Sequence, residues 1–113
     1  MKVLICGSRG ICDKKYVYDC INNSNFDITE VISGRAHGVD RIGEEYARDH
    51  NISIKHFVPD WDQFWNVAGI LRDRQMVDYS DAIIAIWDGM SKGTDFTIKY
   101  AKRLEKPIKV WVK

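Results

Sequence analysis

Short apolar runs alternate along this chain with segments whose apolar residues recur every three or four positions. Lys2 to Cys6 is a β-like run that stops at Gly7, and Ile28 to Ile32 is a second that ends at Ser33-Gly34. Ile52 to Val58 is a third, closed by Pro59. Asp81 to Trp87 is the most apolar run, and its continuity suits a strand buried on both faces. Ile108 to Val112, after Pro107, is the fifth. Between them lie helical patterns. Asp13 can cap a helix whose apolar side holds Val17, Cys20 and Ile21. Val39, Ile42, Gly43, Tyr46 and Ala47 share one face of the next. Ala68, Leu71, Arg72, Met76 and Tyr79 lie roughly on one side of a third, and Asp60 to Asn66 before it reads as a loop. Gly89 to Gly93 reads as a loop too, and the last helix buries Thr97, Ile98, Ala101 and Leu104.

Strands that alternate with helices imply a parallel sheet with right-handed crossovers. The expected fold is α/β: a Rossmann-like three-layer sandwich with a five-stranded parallel sheet in the order 3-2-1-4-5. Strands one and four are then neighbours whose connections diverge. Folds of this kind bind ligands at that switch point, outside the carboxyl ends of the strands.

Three strand-to-helix loops at that edge carry glycine. They are Gly7-Ser8-Arg9-Gly10, Ser33-Gly34-Arg35-Ala36-His37-Gly38-Val39-Asp40 and Gly89-Met90-Ser91-Lys92-Gly93-Thr94. Glycine lets backbone turn tightly and approach a ligand. A helix that follows offers unpaired N–H groups and partial positive charge to an anion. Arg9, Arg35 and Lys92 add full positive charge. Each loop alone is also an ordinary turn. Neither GxxxxGK[ST] nor GxGxxG is present, which excludes a Walker loop and the dinucleotide fingerprint.

Composition narrows the picture. The 113 residues suit a single domain, residues 1–113, and 45% are hydrophobic, enough for one core. Lysine and arginine number 17 against 16 aspartates and glutamates, a net charge of +1. A nucleic-acid binder usually carries a basic excess, so nucleic acid is not the expected partner. The cysteines, Cys6, Cys12 and Cys20, are odd in number and form no CxxC, which argues against a disulfide framework or zinc site. No metal or cofactor is expected. The apolar part of the N-terminus is too short for a signal peptide, and no run approaches the ~18 residues of a membrane span. The chain is expected to be soluble and cytoplasmic, with no membrane partner.

GSRG after strand one, SGRAHGVD after strand two, then DWDQFWNVAGILRDRQM and DAIIAIWDGMSKGTDFTIKYA, together resemble the SLOG superfamily, in its YspA-type branch. That branch's pattern runs GSR, GGARGxD, DWxxxGxxAGxxRNxxM and GGxGTxD. The resemblance implies a Rossmann-like pocket for a phosphorylated, nucleotide-derived molecule that is sensed, sequestered or processed. The ligand-binding residues it implies are Gly7, Ser8, Arg9, Gly34, Arg35, Ala36, His37, Gly38, Asp40, Gly89, Ser91, Gly93 and Thr94, with Trp61 as a base-stacking candidate. Asp40 reads either as a helix cap or as a ribose contact. Trp61, Phe64 and Trp65 read as a stacking surface, a lid, or an interface between copies of the chain.

The superfamily also holds phosphoribohydrolases that cleave the N-glycosidic bond of nucleoside monophosphates. Their motifs are RKxxM and PGGxGTxxE. Arg72 falls on the arginine, but Thr97 falls on the glutamate, and a threonine cannot supply a carboxylate. Asp95 is the nearest acid, so the catalytic candidates for a hydrolase are Arg72 and Asp95. Asp95 could face a ligand only if it remained in the loop before the last helix. Otherwise Arg72 reads as a phosphate or ribose contact, or as a structural ion pair with Asp95 or Asp40. SGRAHGVD also resembles the SGxAxGxD loop of DprA recombination mediators, a third reading that would bind single-stranded DNA.

Overall fold

In the computed structural model, which describes residues 1–113, five parallel strands form one sheet in the order β3-β2-β1-β4-β5. They are β1 (Lys2–Gly7), β2 (Glu30–Ser33), β3 (Ser53–His56), β4 (Ala82–Trp87) and β5 (Ile108–Val112). The helices are α1 (Lys14–Asn23), α2 (Val39–Asp49), α3 (Trp61–Phe64), α4 (Ala68–Tyr79) and α5 (Lys92–Arg103), with a 3-10 turn at Trp65–Val67. This is the Rossmann-like α/β arrangement expected from the alternation of patterns.

Side chains on a strand point alternately to opposite faces, so an apolar run feeds two cores. Val3 and Ile5 of β1, with Ile84 and Ile86 of β4, pack under Val17, Cys20 and Ile21 of α1 and Val39 and Ala47 of α2. Leu4 and Cys6, with Ile83 and Ala85, face Met76 and Val77 of α4 and Ile98 and Ala101 of α5. Ile83, Ile84 and Ile86 are fully buried, each burial worth about 1.5–3 kcal/mol. The Asp13 carboxylate accepts from Tyr16 N–H at 3.1 Å and caps α1.

Three local expectations are corrected. Asp60 to Asn66 is not all loop: Asp60 accepts from Gln63 N–H at 3.1 Å and starts the one-turn α3. Leu104 is not core; α5 ends at Arg103 and leaves that side chain 42% exposed. Lys106, which with Lys99, Lys102 and Arg103 forms a basic cluster that reads in the sequence as a solvated helix end, is instead a cap. Its ammonium donates to the carbonyls of Val77, Asp78 and Ser80 at 2.6, 2.9 and 2.7 Å, where α4 runs out of N–H partners. Lys106→Met is expected to cost roughly 1–3 kcal/mol, since three carbonyls lose a charged donor. The midpoint of urea unfolding measures it, and an unchanged midpoint would remove the cap from the account.

No helix is long and apolar enough to cross a membrane.

Candidate functional site

All five strands run the same way, so the loops after β1, β2, β3 and β4 emerge at one edge. The loops after β1 and β4 are bolted together there. Ser8 N–H donates to Ile86 O at 3.0 Å, and Asp88 N–H donates to Ser8 Oγ at 2.9 Å. Ser8 is fully buried and its hydroxyl is engaged in holding the two loops. The Asp88 carboxylate in turn accepts from the N–H groups of Met90 and Ser91 at 2.8 and 2.9 Å, which keeps it below the usual carboxylate range. Ser91 Oγ then accepts from Thr94 N–H at 3.4 Å and starts α5.

The loop after β2 is held from beneath. Ser33 Oγ donates to the buried Glu44 at 2.7 Å and accepts from Arg35 N–H at 3.1 Å. His56 and Arg35 also approach Glu44, at 3.2 and 3.9 Å. Arg35 has a positive φ of 61°, uncommon for a residue with a side chain, and the Ser33 bond helps to fix that turn. Gly38 has φ 79°, and a Cβ there would lie 2.5 Å from Ser8 O and 2.6 Å from Arg9 O. No other residue type can bring this loop so close to the first.

Between these loops and the amino half of α4 lies a cavity of about 90 Å³. Asp40, Arg72 and Asp73 line it, with Cys6, Gly7, Ser91, Gly93, Thr94 and Thr97 among its walls. Arg72 Nε donates to Asp73 Oδ1 at 2.8 Å, and its Nη1 donates to Gly34 O at 3.0 Å. Asp40 Oδ2 accepts from Ala36 N–H at 3.3 Å. Gly34 separates the two groups: a Cβ on it would lie 2.9 Å from Arg72 Nη1 and 3.2 Å from Asp40 Oδ2. Gly34 is therefore a packing requirement of the charge cluster.

The electrostatics follow from burial. Asp40 is 5% exposed, and burial pushes its carboxyl up to about 7 against the pull of Ala36 N–H and Arg72. Burial raises Asp73 too, with Arg72 opposing. The Cys6 thiol is raised well above its ordinary value by burial and then by both carboxylates, so it stays protonated.

The cavity opens into a wider groove of about 440 Å³ that shares Arg9, Ala36, Arg72, Asp73 and Gly93 with it. Arg35, His37 and Arg41 stand along the groove, and Trp61, 57% exposed, lines its far side with Ile70. Arg9, His37 and Arg41 have no side-chain hydrogen bond or ion pair, while Arg35 reaches only the long contact to Glu44.

Most of the expected residues thus meet at one place. Gly7, Arg9, Gly34, Arg35, Ala36, His37, Asp40, Trp61, Arg72, Ser91, Gly93 and Thr94 all line the cavity or the groove. Ser8, Gly38 and Gly89 do not; the first two hold the loops together, and Gly89 is exposed with φ 81°. Asp95 does not either. Helix α5 begins at Lys92, so Asp95 is already in its first turn, paired with Lys99 at 2.9 Å. The partner of Arg72 is Asp73, not Asp95 or Asp40. Asp73 was missed because an acid next to an arginine on a helix reads as a solvated pair. Its one signal is that it stands where the RNxxM pattern has asparagine. Arg41 was missed as well, although a basic residue in a first helical turn opposes the helix dipole and wants a reason.

A family model described as YAcAr, the YspA, cpYpsA-related SLOG family, matches residues 1–64. The chain belongs to this SLOG family. The matched span runs from β1 through α3 and takes in the first two glycine loops, whereas Arg72, Asp73 and the loop before α5 lie beyond it. No curated protein and no solved structure matches the chain.

Proposed function

We propose that the protein binds a phosphorylated, nucleotide-derived small molecule across the cavity and the groove. The observation that carries this reading is the convergence of Arg9, Arg35, His37 and Arg41 on one groove, three of them unpaired, directly beside a buried polar cavity. The guanidiniums of Arg9 and Arg41, on one groove without ion-pair partners, repel one another, and a phosphate relieves that repulsion through charge-assisted hydrogen bonds, to which the His37 imidazole can add one donor. Arginine's fork suits phosphate oxygens, and Trp61 offers a flat apolar face of the kind a base stacks on. Membership of a SLOG family agrees with a nucleotide-related ligand. A cytoplasmic site suits such a ligand.

The test is direct. Protein purified without added ligand is denatured and the supernatant examined by mass spectrometry, and a nucleotide panel is screened by thermal shift. A phosphorylated nucleotide in the extract is expected, or a stabilisation of about 2.7 kcal/mol at 100-fold excess over Kd. An empty extract together with no shift across the panel would defeat the reading.

A specific observation also favours a second reading, hydrolysis of an N-glycosidic bond. Thr97 cannot supply the carboxylate of the phosphoribohydrolases, and its hydroxyl donates to Gly93 O at 3.1 Å. Asp40 and Asp73 bring carboxylates to the same cavity as Arg72. Pure binding predicts no free base from AMP, GMP, CMP or UMP. Base release that disappears in Asp40→Asn would establish the hydrolase instead.

A further inference from the structure

The cavity and the groove differ in what they can hold. Two carboxylates, Asp40 and Asp73, line the cavity, and neither lies in the open. The guanidinium between them already donates from Nε to Asp73 and from Nη1 to Gly34 O. Each carboxylate is backed by a glycine loop. A Cβ on Gly34 would lie 3.2 Å from Asp40 Oδ2, and one on Gly93 would lie 3.9 Å from Asp73 Oδ2. The absence of side chains there leaves both acids reachable from between the loops.

A phosphate dianion placed among these acids would meet two like charges and a cation already paired with one of them. A pair of neighbouring hydroxyls meets the opposite situation. Its O–H groups donate to carboxylates, and its oxygens accept from the free N–H groups of Arg72. We propose that the cavity is a subsite for the vicinal diol of a ribose, and that the phosphate stays outside it, held by Arg9, Arg35 and Arg41 in the groove. This rests on the nucleotide reading and adds the ligand's orientation and its sugar class: ribo- rather than deoxyribonucleotides. It also narrows the expected part of Arg72, from a phosphate or ribose contact to positioning Asp73 and contacting the sugar.

The experiment is calorimetric titration of the full chain at pH 8 with the four ribonucleoside monophosphates, their 2′,3′-dideoxy counterparts and inorganic phosphate. The unaltered protein is expected to bind its best ribonucleotide roughly tenfold or more tightly than the dideoxy form, because the buried acids then lack their donors. Asp73→Asn is expected to lose most of that preference. Arg41→Ala is expected to weaken all phosphate-bearing ligands alike. Equal affinity for the ribo and dideoxy forms would overturn the inference while leaving nucleotide binding in place. So would inorganic phosphate binding to Arg41→Ala as tightly as to the unaltered protein, since Arg41 lines the groove and not the cavity. Binding of none of these ligands by the unaltered protein, with an empty native extract, would remove the nucleotide reading and this inference together. The comparison of ligands on the unaltered chain needs no variant, so a folding defect in Asp73→Asn leaves it decisive.

Discussion

Arg72→Met is expected to destabilise the protein by about 3–5 kcal/mol at pH 8, the range for removing one partner of a buried ion pair. Arg72 and Asp73 are 13% and 14% exposed, so water screens their pairing poorly. Methionine keeps most of the stem's packing but leaves Gly34 O without the donor at 3.0 Å. It also leaves Asp73 and Asp40 facing one cavity with no guanidinium between them. Adding Asp73→Asn to the variant should recover a large part of the loss, because the stranded charge goes with it. Chemical denaturation of the two single variants and the double variant forms the cycle. Additive losses would mean that Arg72 contributes through packing and its bond to Gly34 O, not through Asp73. The loss should shrink towards pH 5, where the carboxylates in the variant take up protons rather than remain buried and charged.

Asp40→Asn is expected to stabilise the folded protein at high pH and to flatten its stability profile. The Asp40 carboxyl sits at about 7 in the fold, against ~3.9 for an aspartate in an unfolded chain. Between those values the folded state holds a proton that the unfolded state has released, so stability falls as pH rises through the window. The favourable contribution is complete below about pH 4 and gone above about pH 7. A shift of roughly three pKa units corresponds to about 4 kcal/mol across the window, and Asp73, raised by the same burial, acts in the same direction. An amide at position 40 can still accept from Ala36 N–H but has no charge to bury. Urea midpoints between pH 4 and pH 8 give both profiles. If the unaltered protein shows no decline over that range beyond that of the variant, Asp40 does not carry a raised pKa. A carboxyl that costs stability at neutral pH invites a functional reason, and the diol subsite supplies one.

Much of the fold was legible along the chain because its signals are local. The five apolar runs differ in length and periodicity from the helical stretches between them, and β-α alternation leaves few topologies. The observed order 3-2-1-4-5 is one of those few, and any all-parallel sheet places the three glycine loops at one edge. The continuous run of β4 foretold burial on both faces, and Ile83 and Ile84 do enter opposite cores. The family resemblance was legible for the same reason, since motifs are strings. Even the threonine that stands where the phosphoribohydrolase pattern has glutamate could be read, because Thr97 is a single letter at a fixed spacing from Gly93 and Thr94.

The tertiary structure alone decided what each charged residue faces. A sequence fixes spacing along a helix but not where the helix begins, and one turn separates a loop aspartate that could meet a ligand from Asp95 paired outward with Lys99. Lys106 looks like any solvated lysine until α4 ends within reach of its ammonium. Ser8 belongs to a ligand loop by motif, yet Asp88 N–H, 80 residues away along the chain, engages its hydroxyl. Asp73 becomes a site residue only once Gly34 O fixes Arg72 from across the cavity, 38 residues distant. Hydrophobic patterning is a property of neighbours in the chain. Charge pairing, and the burial that shifts Asp40 to about 7, are properties of neighbours in space, created by folding.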